Sequence, residues 1–376
     1  MKKRMKTHQI NKRSGRSVNI SRFGHAPGIF VIMLALCITM ALTSCGSEEG
    51  RQRGSGSDQA EVSADPAGSS SAESEASKTD DDTAVMKVGD TTVTYRDIKA
   101  YLCMIDADYL SALGNDILGV DIGGKKLGDD IQEDVMNYVA EMQIIKDRAA
   151  KENITLSTVE KDNAAQSAQG LFNKLSSDIR DRYSITLADL EQVYEENQIA
   201  EKLYYSVVSK GNDSVSEDQA RQAVIEYICI LTDGVDKDGS RVSLTDAEKT
   251  SALERANELR EEAKQASDFS SFARINTEKS EVNTVCSLIY SDSDLPDPVN
   301  KAAMQLDSGE ISEVIPGDDG YYILYCVNDN DETLSAAKKE DIINRNKNLR
   351  FKDAYSEWLN KTDISVNDTF WENLWK

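Results

Sequence analysis

The stretch GEISEVIPGDDGYYILYCV, Gly309 to Val327, joins a polar turn to a strand-like run that begins with two adjacent tyrosines. A phenol both donates and accepts a hydrogen bond, so Tyr322 is a candidate to hold a polar group in place. Few other side chains compete for a chemical role. The two histidines, His8 and His25, both lie within the first 45 residues. With that segment set aside no imidazole remains, which excludes Ser-His-Asp and Cys-His catalysis and any His-ligated metal site. Cys103, Cys229, Cys286 and Cys326 match no CxxC redox or zinc spacing. They are expected as small buried apolar side chains rather than as disulfides. No metal and no other cofactor is expected. The segment Asp236 to Asp246, DKDGSRVSLTD, has some of the look of a calcium loop, but Gly234 stands where its first acid belongs and Thr245 where its bidentate glutamate belongs. It reads as a polar turn. Paired acids in helical sequence, such as Glu191 with Glu195 and Glu196, are expected on a solvated face.

These groups must be positioned by a chain that opens with a targeting segment. Residues 1–45 carry eight Lys or Arg and no acid, followed by the apolar run GIFVIMLALCITMAL, Gly28 to Leu42. Its fifteen residues fall short of the roughly 20 that a spanning helix needs. The run leads into Leu42-Thr43-Ser44-Cys45, which resembles the lipobox of bacterial lipoproteins. That resemblance implies acylation of Cys45 and a lipid anchor on the extracytoplasmic face of a bacterial cell membrane. Taking the eight basic residues of this segment from the total of 43 leaves 35 against 66 acids, a formal charge of −31. So acidic a surface repels phosphate backbones, and nucleic acid is excluded as an expected partner. Residues 46–84 contain almost nothing apolar and read as a disordered acidic tether.

Beyond the tether, Val88-Gly89-Asp90 reads as a turn between two short strands, with Thr94 and Asp97 capping the helix that follows. Ile131, Val135, Val139, Met142, Ile145 and Ala149 repeat at helical spacing. Ser157 with Glu160 and Thr186 with Asp189 are capping boxes for two further helices. No proline occurs between Pro66 and Pro296, as long uninterrupted helices require. At AVIEYICILTDG the period becomes strand-like. A polar loop, a helix from about Thr245 to Ala266, the segment DFSSFARI, a proline-bearing loop and the tyrosine strand follow, forming an α+β unit of normal domain size. A long C-terminal helix leads to a short strand, Ile364 to Val366, and to three apolar anchors, Phe370, Trp371 and Trp375, expected to seal the first helical domain. The turn SKGNDSVS, Ser209 to Ser216, joins the two parts as a hinge or as a rigid turn.

This order of parts, together with VGDTTVTYRDIKAYL, DFSSFAR and AAMQLDSGEISEV followed by GYYIL, resembles the foldase lipoproteins and periplasmic chaperones of the PrsA and SurA type. The resemblance implies a mainly helical chaperone domain built from both chain ends, with an inserted parvulin-type peptidyl-prolyl isomerase domain, a small antiparallel sheet flanked by helices. It implies boundaries at 85–215, 216–333 and 334–376, and unfolded or newly exported polypeptides as partners. Carried over by position, the two histidines of parvulins fall on Tyr227 and Tyr322, their Cys or Asp near Lys279, and the Met and Phe of the proline pocket at about Leu295 and Val299. NTVCSLIYSDSD stands in place of the usual Gly-Gly-Asp-Leu-Gly loop. Every polar group of the family's site has changed. Three functions follow as alternatives: a chaperone whose isomerase domain has lost its chemistry, an isomerase in which tyrosines replace histidines, and a surface lipoprotein that docks one fixed partner.

Overall fold

The computed structural model describes residues 79–107, 119–121, 123–235, 237–238 and 240–374. The targeting segment, Cys45, nearly all of the tether and Trp375 lie outside the described residues. The chain divides into two compact units, one ending at Val207 and resuming at Asp353, the other running from Val208 to Lys352.

In the first unit, strands β1 (Ala84–Val88) and β2 (Thr91–Thr94) form a tight antiparallel hairpin closed at Val88 and Thr91. Thr94 starts helix α1 (Tyr95–Ile105), its backbone N–H and hydroxyl donating to Asp97 at 2.7 and 2.9 Å. Helix α2 (Leu127–Lys151) follows with Val135, Val139, Met142, Ile145 and Ala149 of the expected apolar repeat buried and Ile131 half-buried. Helices α3 (Thr158–Lys174), α4 (Ser177–Tyr183) and α5 (Leu187–Val208) complete the row. Both predicted capping boxes form, Ser157 with Glu160 and Thr186 with Asp189, each satisfying backbone donors that a helix start leaves orphaned. The chain ends meet in one sheet of order β2-β1-β9, where β9 (Ile364–Val366) pairs antiparallel with β1. Trp371 is 2% exposed and its indole N–H donates to Val85 O at 2.9 Å. The aromatic end therefore seals the helical unit, as expected.

One expectation fails here. Glu196 does not lie on a solvated face: it is buried and accepts from Tyr101 Oη at 2.7 Å, Lys146 Nζ at 2.5 Å and Gln192 Nε2 at 3.0 Å. A carboxylate leaves water only where donors replace its hydration, and three donors do so here.

The second unit is built on an antiparallel sheet of order β6-β3-β8-β7. Short helix α6 (Glu217–Ala220) precedes β3 (Ala223–Leu231), which pairs along its length with β8 (Gly320–Asn328), while β6 (Asn283–Cys286) and β7 (Ile315–Pro316) form the edges. Alternate residues of a strand face opposite sides, and here both sides are covered. Ile228 and Ile230 face α7 (Asp246–Ala263) and α8 (Phe269–Asn276), whose Ala252, Ala256, Ala263 and Ala273 pack close because they are small. Ala223, Ile225, Tyr227 and Cys229 face α9 (Asp297–Ala303) and the segment before it. Helix α10 (Glu332–Leu359) leaves the sheet. Within this unit Arg350 donates to Val208 O at 2.5 Å and to Asp213 at 2.9 Å, which pins the turn after Val208.

Three segments differ from expectation. The polar loop after β3 contains a hairpin, β4 (Asp233–Val235) with β5 (Arg241–Ser243). NTVC is an edge strand rather than loop. The proline-bearing loop contains α9, because a proline in the first helical turn has no N–H to lose and a φ already suited to the helix. The α+β class stands, and the four cysteines of the folded part are buried and free.

Candidate functional site

The five residues singled out by resemblance come together on one face of the second unit's sheet. Tyr227 on β3 and Tyr322 on β8 are 3% and 0% exposed, with ring centroids 5.9 Å apart and planes tilted by 48°. They share a core cluster with Leu295 and Val299, which are 7% and 0% exposed. The two positions that line an open proline pocket in the resemblance are thus packed against the tyrosines. Lys279 lies beside them, its Nζ 5.2 Å from the centre of the Tyr322 ring.

Local sequence explains the seating. Gly317 and Gly320 bracket the turn before Tyr322. A Cβ at Gly317 would stand 2.8 Å from Tyr322 Cε2, and one at Gly320 would stand 2.5 Å from Ile230 O. Only glycine lets the turn close over the ring and lets β8 start against β3. On the far side of β3 the segment Thr277–Val282 replaces a regular strand. Tyr227 N donates to Val282 O at 2.7 Å, Cys229 N to Thr277 Oγ1 at 3.0 Å and Leu231 N to Glu278 Oε2 at 2.7 Å.

Two residues that the sequence reading did not assign to the site belong to it. Asp319 accepts from Tyr322 Oη at 2.7 Å through one oxygen and pairs with Lys279 Nζ at 2.9 Å through the other. Cys229 stands opposite Tyr322 in the ladder. Each had a local signal: Cys229 is two residues from Tyr227, hence on the same strand face, and Asp319 occupies the GDDG turn that leads into Tyr322.

The electrostatics of the cluster leave no group that changes charge near neutral pH. Burial pushes the Tyr227 phenol up to about 12, with the charge of Glu281, the Cys229 thiol and the charges of Asp294 and Asp319 adding to the effect. Burial, then the Asp319 bond, holds Tyr322 far above the usual phenol range. Burial pushes the Cys229 thiol up to about 11, against the opposing pull of Tyr322 and Lys279. Burial alone would raise Asp319, but the bonds from Lys279 and Tyr322 outweigh it and hold that carboxyl below its usual value. The cluster is therefore two neutral phenols, a neutral thiol and one ion pair. Tyr322 has committed its proton to Asp319, whereas Tyr227 Oη makes no hydrogen bond to another group of the described residues. No group of three or more His, Cys, Asp or Glu among the described residues could hold a metal ion.

Residues 237–339 match the family model of the PPIC-type PPIase domain. The second unit carries a parvulin-type domain. The matched stretch includes Lys279, Leu295, Val299, Asp319 and Tyr322 and begins after β3, so Tyr227 lies upstream of it. Among curated proteins none matches the chain. Among solved structures the chain is similar to the foldase protein PrsA of Lactococcus lactis, with 13% identity over 78% of this chain and 99% of that one and a TM-score of 0.32. It is also similar to the peptidylprolyl isomerase PrsA of Bacillus cereus, at 14% identity over 64% and 89% with a TM-score of 0.33. A SurA-like chaperone of Campylobacter jejuni is similar at 12% identity over 76% and 99% with a TM-score of 0.30. Tyr227 and Tyr322, onto which the resemblance carries the family's histidines, are held in a packed core.

Proposed function

We propose that the protein is a lipid-anchored, extracytoplasmic foldase that binds exported polypeptides, and that its parvulin-type domain holds chain segments without a working isomerase site. The observation that carries this reading is the state of the paired tyrosines. Prolyl isomerisation needs no nucleophile, only a site that binds the twisted amide better than either planar form, against a barrier of ~18–20 kcal/mol. Such a site needs an open apolar seat for the proline ring and donors free to follow the amide. Leu295 and Val299 instead fill that seat, and Tyr322 is held by Asp319.

The anchor rests on the sequence before Cys45. No helix among the described residues is long and apolar enough to cross a membrane. Metabolic labelling with palmitate is expected to mark the wild-type chain and to fail with Cys45→Ser.

A working isomerase is the second reading, and the uncommitted Tyr227 hydroxyl is what favours it. Exchange NMR on a series of proline tetrapeptides with the full chain, beside a Tyr227→Phe, Tyr322→Phe double variant, separates the two. The expected result is no turnover above background, together with suppressed aggregation of a denatured client. Turnover that the double variant abolishes would make the protein an isomerase that uses tyrosines.

A further inference from the structure

The loop of residues 287–294 begins and ends in the tyrosine cluster, since Cys286 before it and Leu295 after it both pack there with Tyr227 and Tyr322. Burial of its own side chains does not hold this loop: Leu288 and Tyr290 are 54% and 39% exposed. Helix α10 holds it instead. Lys338 Nζ, on a side chain 6% exposed, donates to Tyr290 O at 2.5 Å and pairs with Asp292 at 3.1 Å. An ammonium leaves water only where such acceptors replace its hydration. Further along the helix Arg345 lies over the Tyr290 ring, 4.3 Å from its centre, and Ile289 packs on the small core that Ile342 forms with Val215 and Ala220. Tyr290 has a φ of 52°, a left-handed backbone that a residue with a Cβ keeps only where its surroundings impose it. On the inner side Asn300 of α9 donates to Ser287 O and accepts from Ser291 Oγ, both at 2.9 Å, which ties the loop to the helix that carries Val299. Ile342 and Arg345 lie beyond residue 339, where the match to the family's model ends.

We infer that α10 is a latch: Lys338, Ile342 and Arg345 hold residues 287–294 down, keep Leu295 and Val299 in the proline seat, and so close a peptide site that opens when the loop lifts. The inference rests on the reading above that the parvulin-type domain holds chain segments, and adds what controls their entry. A site that is open in only a fraction of molecules binds with its affinity reduced by that fraction, so weakening the latch raises the apparent affinity.

The test compares the full chain with its Lys338→Met, Arg345→Met double variant. The side chains of Asp292 and Asp341, the ion-pair partners of these bases, are 87% and 48% exposed, so neither change strands a buried charge. Hydrogen exchange followed by NMR is expected to be about tenfold faster at the amides of Leu295 and Val299 and unchanged at Ile228 in the sheet. A labelled proline tetrapeptide, followed by fluorescence anisotropy, is expected to bind the variant about tenfold more tightly than the wild type. Arg345→Ala alone is expected to give the same selective exchange at about threefold, and it decides the matter if the double variant does not fold. Unchanged exchange at Leu295 and Val299 would overturn the latch. So would equal acceleration at Ile228, which would make these contacts general supports of the domain. Faster exchange in the loop without tighter binding would overturn the peptide site behind it. Failure of the wild type to protect a denatured client from aggregation would sink the foldase reading, while the exchange pattern would still decide the latch.

Discussion

Each unit of the protein contains the same small construction, and only one of the two is complete. In the helical unit Tyr101 Oη donates to Glu196 at 2.7 Å while Lys146 takes the other carboxylate oxygen at 2.5 Å. In the parvulin-type domain Tyr322 Oη donates to Asp319 at 2.7 Å while Lys279 takes its other oxygen at 2.9 Å. A second tyrosine stands against the first in both, with Tyr138 at 4.9 Å between ring centroids and Tyr227 at 5.9 Å. The difference is in that second ring. Tyr138 donates to Asn197 at 3.1 Å, whereas the Tyr227 hydroxyl makes no hydrogen bond among the described residues. A network whose members are all satisfied is a device for fixing helices. The parvulin cluster instead holds its second ring by packing alone.

The comparison is broken most forcefully at the two carboxylates. Glu196→Ala removes the acceptor of the buried Tyr101 hydroxyl and the partner of Lys146 together, and is expected to cost about 2–4 kcal/mol. Asp319→Ala is expected to cost less, about 1–3 kcal/mol, because the side chains of Lys279 and Asp319 keep 24% and 19% of their surface in water. Urea unfolding of both variants checks the order. A larger loss at Asp319 would make the parvulin cluster the structural one.

Glu141 sharpens the comparison by supplying a buried acid with no donor among the described residues. It is 8% exposed, and burial alone pushes its carboxyl up to about 7 from the ordinary 4.5. The folded chain then binds more protons than the unfolded chain between those two values. The contribution of Glu141 to stability is therefore largest below about 4.5 and is lost as pH rises towards about 7, by about 3 kcal/mol in total. Unfolding free energies of the wild type and Glu141→Gln across that range are expected to diverge by this amount, the variant lacking the loss. Parallel curves would mean that a donor reaches Glu141 in solution.

How much of this was legible in the sequence depended on how local the cause was. The caps at Thr94, Ser157 and Thr186 and the strand Ile364–Val366 could be read directly, since each rests on residues within a few positions of one another. The strands of β4 and β5 are three residues each, too short to show alternation, and NTVC carries its edge role only through pairing with β3. Glu196 carries no local signal of burial, because its donors Tyr101 and Lys146 lie 95 and 50 residues away. In the parvulin-type domain, Tyr227, Lys279, Leu295, Val299 and Tyr322 were reached through resemblance. Their closure into a filled core was not readable, because it brings together residues of β3, β8 and α9 that lie far apart in the chain. Asp319 was within reach, three residues from Tyr322.

Gly317 tests whether that closure is tight. A Cβ there would meet Tyr322 Cε2 at 2.8 Å and Pro296 Cγ at 3.1 Å, so Gly317→Ala must displace the ring or the proline and is expected to cost about 1–2 kcal/mol. Thermal melting of the full chain gives the loss. A neutral result would mean that the Tyr322 ring has slack, and would favour the isomerase reading.

The smallest expected effect on stability is also the most informative about function. Tyr227→Phe removes a hydroxyl that bonds to no protein group and keeps the ring that fills the cluster with Leu295 and Leu324. Deleting a polar atom that gains no hydrogen bond on folding removes its desolvation penalty, so the variant should be within about 0.5 kcal/mol of the wild type or slightly more stable. Tyr138→Phe, the matching change in the helical unit, takes away a donor that Asn197 uses and is expected to cost about 1 kcal/mol. Equilibrium unfolding of the pair therefore reads the difference between the two clusters directly. Equal losses would mean that Tyr227 has a partner in solution, whereas a loss at Tyr138 alone means that the parvulin cluster holds its second ring by packing and not by its hydroxyl.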